Sequence, residues 1–214
     1  MSARIDPRWP PALTILVATF LLQVLPGRLR VFPVWVPYLT AIAILAPMAS
    51  VALAPGNARW LRIERTITFL FFVFVGATTI VGLSRLVRMM VRHPADIGGM
   101  ALLSSSIAIW VTNVLIFSLL YWQIDRGGPD ARANNVRVKP DWLVPHAGAP
   151  EAVAPGWRPS FVDYLFLGYS TATAFSPTDA LPLTSRAKML MMIESTISLV
   201  TILMVAARVI NILR

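Results

Sequence analysis

The chain has no cysteine and only two histidines. The missing thiols exclude disulfides, thiolate metal centres and cysteine nucleophiles together. His93 and His146 each stand beside a proline in a polar connection, no HExxH pattern occurs, and no pair of carboxylates falls inside an apolar segment. Neither a metal-ligand set nor a convergent catalytic constellation is present, so the chain reads as a non-enzyme without a cofactor. No internal repeat is evident, which argues against an inverted-repeat transporter. Charge is scarce as well: 14% of residues are charged and 57% hydrophobic, with a mean hydropathy of +0.68. A soluble domain keeps about a quarter of its residues charged. The principal solvent is therefore lipid, and the bilayer is the first partner.

The charges that remain are mostly basic, giving a net charge of +9. They lie at the ends of apolar segments rather than in one patch, which is the placement lipid anchoring requires and not that of a nucleic-acid surface. Five apolar segments follow: Ala12 to Pro26, Val31 to Leu53, Ile67 to Leu83, Met100 to Trp122 and Met189 to Leu213. A crossing needs about 20 helical residues, which the last four reach with modest extension of the third. The first is bracketed by Pro10, Pro11 and Pro26 and is read as a tilted span, with an interfacial helix as the alternative. It ends without a small-residue cleavage pattern and is taken as part of the mature protein. Trp35, Trp60, Trp110, Tyr121 and Trp122 lie mostly near segment ends, suiting the headgroup layer, and Asn113 within the fourth segment is expected to face other helices. Residues 123–160, with prolines 129, 140, 145, 150, 155 and 159, read as an aqueous loop, either a tether or the cover of a pore mouth.

The stretch from Phe161 to Thr184 turns from apolar to polar without reaching a charged flank, and is too short to cross. Ser160 can cap a helix starting at Phe161, Asp163 suits its positive end, and the helix should run out near Thr173 before Pro177. A short helix, an irregular polar return and a long apolar helix form a re-entrant pattern, tolerated at membrane depth only in a protein-lined or watery setting.

Here the residues resemble the potassium-channel-type pore-loop family, a tetramer of outer helix, pore helix, selectivity filter and inner helix. Thr171, Thr173, Asp179, Pro182 and Thr184 match that family's pattern without a gap, Arg186 and Lys188 match its basic inner-helix start, and Glu194 with Ala206-Ala207-Arg208 resembles the inner helix of bacterial members. Ser198 stands where a hinge glycine is common. The filter centre departs from the family: Ala174, Phe175, Ser176, Pro177 and Thr178 replace Thr-Val-Gly-Tyr-Gly. Without both glycines, and with Pro177 fixing φ, a ladder of carbonyls for dehydrated potassium is not expected. In a tetramer, Ser176, Thr178 and Asp179 would instead form rings of side-chain oxygens for a hydrated cation, monovalent or divalent. Asp179 is read either as pore-facing or as hydrogen-bonded within the wall, and Thr171 and Thr173 as helix-end packing and hydrogen bonding. Glu194, the one acidic residue inside an apolar segment, is either functional or in a salt bridge with Arg186 and Lys188 at the helix entrance. Arg85, Arg88 and Arg92 follow the third segment and read as a cytoplasmic anchor, not a voltage sensor.

The resemblance implies an all-α integral membrane protein of about five transmembrane helices, with a re-entrant pore helix and loop between the last two. Its parts are residues 1–99 (three helices), 100–122 (outer helix), 123–160 (loop), 161–184 (pore helix and filter-like loop) and 185–214 (inner helix). It implies a homotetrameric cation channel of weak or non-potassium selectivity in a bacterial inner membrane, with no metal beyond transient cations; a non-conducting subunit of the same fold is the alternative, ahead of a transporter. Channel-like topology puts seven of the 19 basic residues inside, and outside the long loop the rest also number seven, so charge balance sets no orientation.

Overall fold

A computed structural model describes residues 7–25, 30, 32–53, 58–92, 99–134, 138–144, 157–173 and 180–212. Of the described residues, 83% are helical. Helix α1 (Trp9–Val24) carries a proline in its first turn, where the missing N–H costs no helical hydrogen bond. Next come α2 (Trp35–Leu53), α3 (Ala58–Arg92) and α4 (Gly99–Ile124). Pro47 sits inside α2, as apolar surroundings tolerate when neighbouring helices support the backbone. Nothing but Gly76 and Gly82 interrupts the helical pattern of α3, so it extends well beyond the apolar core that hydropathy marks at residues 67–83.

The end of α4 is set by Arg126, Gly127 and Gly128, with φ of 51°, 79° and 97°. Such left-handed backbone suits glycine and turns the chain out of the helix. A Cβ on Gly128 would stand 3.0 Å from the carbonyl of Gln123. The chain continues into α5 (Pro129–Ala133), a strand β1 (Trp142–Leu143), α6 (Phe161–Thr173), a strand β2 (Leu181–Pro182) and α7 (Ser185–Ile212). The two strands are antiparallel, Trp142 opposite Pro182 and Leu143 opposite Leu181.

Three helices, covering Arg65–Met89, Met100–Gly127 and Ser185–Ala207, are long and apolar enough to cross a membrane, and mark this as a membrane protein. Side chains such as Leu70 and Leu203 stay about 60% exposed on their outer faces, as lipid-facing residues do. The apolar runs of α1 and α2 are shorter. Nevertheless α1 packs lengthwise against α4. At one end Arg8 donates to Asp130 at 2.7 Å, just past the α4 terminus, and at the other Leu25 packs with Leu86, Leu102 and Ile109.

Two expectations need correction. Residues 123–160 are not a plain tether, because their described parts fold onto the helix ends. Tyr121 and Trp122 do not face the headgroup layer: they are 0% and 3% exposed, packed under that same fold-back against Trp142 and Phe161.

Candidate functional site

Helix α6 lies between α4 and α7. Ser160 N–H and Oγ both donate to Asp163 Oδ2, at 2.7 and 2.8 Å, a carboxylate cap that fixes its start. Its inward face is seated by Gly168. A Cβ there would run into Ser118 Oγ and come within 3.2 Å of the Val114 carbonyl and 3.3 Å of Glu194 Oε1. Glycine is thus what lets α6 approach α4 and α7 so closely. The helix leaves Val162, Phe166 and Tyr169 exposed on its other side.

Behind Gly168 lies a buried polar network. Glu194 is 0% exposed; Tyr121 donates its hydroxyl to Glu194 Oε2 at 2.5 Å, and Asn113 Nδ2 donates to the Glu194 carbonyl and to Ser198 Oγ, each at 3.1 Å. Asn113 thus faces other helices, as expected of an amide in an apolar segment. Glu194 Oε1, Asn113 Oδ1 and Thr171 Oγ1 are buried with no hydrogen-bond partner among the described residues. The carboxyl is therefore tied to α4 by one hydroxyl, with no cation against it among the described residues. A salt bridge from Glu194 to Arg186 is not formed, since Arg186 is engaged elsewhere, and Lys188 is exposed.

A second network closes the end where α4 finishes and α6 and α7 begin. Asp125, 0% exposed, accepts the Tyr164 hydroxyl at 2.6 Å and the Asp141 N–H at 2.8 Å. Asp141, also 0% exposed, is held by Arg186 Nε at 2.6 Å and Nη2 at 2.5 Å, and by the Thr184 hydroxyl at 2.6 Å, while its carbonyl accepts Leu183 N–H at 2.8 Å. The bidentate guanidinium–carboxylate pair is a strong, directional contact. Arg132 Nη1 donates to the Trp122 and Asp125 carbonyls, at 2.7 and 2.8 Å, satisfying α4's last turn. Its guanidinium stands 5.0 Å from the Tyr164 ring centre, a cation–π distance. Burial pushes the Tyr164 phenol far above its ordinary range, against an opposing pull from Arg132, so it remains a donor to Asp125. Trp142 Nε1 reaches Met191 Sδ on α7 at 3.3 Å. Together these contacts strap residues 141–143 across the segment that leads into α7.

Of the residues singled out in the sequence, Thr173 hydrogen-bonds back to the Tyr169 and Ser170 carbonyls and Thr171 is buried. Thr184 also accepts from Ala187 N–H, capping α7, and Ser198 belongs to the Asn113 network. Ala174, Phe175, Ser176, Pro177, Thr178 and Asp179 lie outside the described residues. Sequence reasoning missed Asp125, Asp141, Arg132, Tyr164 and Gly168. The available signal was the Asp125-Arg126-Gly127-Gly128-Pro129 turn and an Asp-Trp pair in an otherwise polar loop. Compared with protein-family models, curated proteins and solved structures, the chain matches none.

Proposed function

We propose that the chain is the subunit of a homotetrameric cation channel of weak selectivity in a bacterial inner membrane. Helices α1 to α4 and α7 are its five crossings, and α6 is a re-entrant pore helix. One observation carries the reading: α6 and α7 start at the same end of α4. Tyr164 in the first turn of α6 and Arg186 in the first turn of α7 join a single Asp125–Asp141 network. With 13 residues, α6 is about 20 Å long, short of a 30 Å hydrocarbon core. A helix that enters without crossing, followed by a chain that is back at its starting level by Leu183, supports a pore loop.

In this reading the strap holds the rim of the loop while Glu194, Asn113 and Tyr121 hold its back wall. The strap end faces outward, and Arg30 and Arg85 lie at the inner face. Purified protein in liposomes is expected to pass potassium and sodium at comparable rates, and particles viewed along the membrane normal should show fourfold symmetry. Fourfold particles without flux would favour the non-conducting subunit. A monomer or dimer would end the pore reading.

A further inference from the structure

At the end of the molecule opposite the strap, the last turn of α1, the start of α2 and the middle of α3 enclose a cavity of about 40 Å³, with α4 as its floor. Its walls include Leu22, Leu25, Phe32, Phe74 and Ile109. Water needs roughly 10–15 Å³ and several polar partners, whereas the polar groups here are engaged: Thr78 and Thr79 donate to carbonyls of their own helix and Gln23 Nε2 to the Val34 carbonyl. A hydrocarbon chain is the better occupant.

The rim carries the opposite chemistry. Arg30 lines the cavity and uses two donors on α1's terminal carbonyls, Nε to Leu25 at 2.9 Å and Nη2 to Gln23 at 2.7 Å. A guanidinium has five N–H donors, so others remain. Arg85 Nη1 donates to the Arg30 carbonyl at 2.6 Å, bringing a second guanidinium to the same corner. Neither has a carboxylate partner among the described residues, whereas Arg8, Arg126 and Arg186 do pair with aspartates. Arg85 lies near the end of the apolar run Arg65–Met89, the depth at which headgroups sit.

We propose that this corner binds an anionic phospholipid, a short stretch of one acyl chain entering the cavity between α1, α3 and α4 while the phosphate meets Arg30 and Arg85. Basic pockets between helices at a membrane face recognise such headgroups through charge. The site lies away from the pore-loop frame and stands or falls apart from conduction.

Gly82 lines the cavity, and a Cβ there would meet nothing within 4 Å, so Gly82→Leu fills the space without disturbing the helix. Arg85→Gln removes one charge. Full-length protein in detergent would be titrated with phosphatidylglycerol or phosphatidylcholine of identical chains, and bound lipid read by native mass spectrometry. The wild type should retain phosphatidylglycerol roughly thirtyfold better, as two guanidinium contacts imply. Arg85→Gln should lose most of that preference and Gly82→Leu should lower retention of both lipids, each with its melting temperature unchanged in lipid-free detergent. Equal retention of both lipids by the wild type would overturn the proposal. Retention of phosphatidylglycerol by Gly82→Leu equal to that of the wild type would mean surface charge alone and would overturn chain entry. Inorganic phosphate should give no thermal shift; a shift matching that of phosphatidylglycerol would replace the lipid by a phosphate site.

Discussion

At the residue scale, the decisive feature is a fully buried carboxyl with one hydroxyl donor among the described residues. Glu194 keeps one donor, Tyr121, and its second oxygen lies beside Gly168 in a tight helix contact. The physical requirement is shape plus one acceptor rather than a charge. Glu194→Gln should therefore cost under about 1 kcal/mol, because its amide oxygen accepts from Tyr121 and its N–H₂ supplies a donor to unpaired neighbours. Glu194→Ala should cost about 2–5 kcal/mol, the range for emptying a buried site of this size. Thermal unfolding in micelles reads the difference, at roughly 2–4 °C per kcal/mol for a chain of this length. Equal losses in the two variants would show that the charge itself is required. Gly168→Ala tests the same contact from the other side. The added methyl meets Ser118 Oγ and the Val114 carbonyl, so α6 must move away from α4, with an expected cost of about 1–3 kcal/mol and lost flux if the pore reading holds.

At the element scale, the strap converts a polar connection into structure. Its two-residue strands are too short to persist alone, and what fixes them is the Asp141 carboxylate beneath. Asp141 is fully buried whereas the Arg186 side chain is 57% exposed, so the two halves of the pair are not equivalent. Asp141→Ala removes the acceptor shared by Thr184 and Arg186 and should release β2, whereas Arg186→Gln leaves the Thr184 bond in place. A double-mutant cycle on unfolding should give a coupling of about 1 kcal/mol, discounted for solvent at the guanidinium, with Asp141→Ala the more damaging single change. The reverse order would mean that the strap is held from the arginine side. This element was the least legible in the sequence. Asp125 and Asp141 look like ordinary solvated charges in a proline-rich stretch, and their burial comes from pairings 16 to 45 residues apart that composition does not record. The start of α6 was legible, by contrast, because a Ser160–Asp163 cap is local chemistry.

At the scale of the whole molecule, hydropathy located every long helix because lipid imposes one demand on each: an apolar exterior with all backbone groups satisfied internally. It could not place their ends, since α3 continues through polar turns to Arg92 and α1 begins at Trp9 on a proline-tolerant first turn. Direction within the bundle comes instead from specific contacts. Arg8 meets Asp130 at the strap end, and Arg85 meets the Arg30 carbonyl at the other. If α1 to α4 and α7 all cross, Lys139 and Arg88, both exposed, must face opposite compartments. The absence of cysteine makes this testable without a background to remove, because Lys139→Cys and Arg88→Cys each introduce the sole thiol. Added to intact cells, a membrane-impermeant maleimide should label Lys139→Cys at once and Arg88→Cys only after permeabilisation. The opposite pattern would invert the orientation and put the strap in the cytoplasm. Labelling of both from one side would leave α4 and its partners without a consistent set of crossings, and the pore loop without the membrane depth it needs.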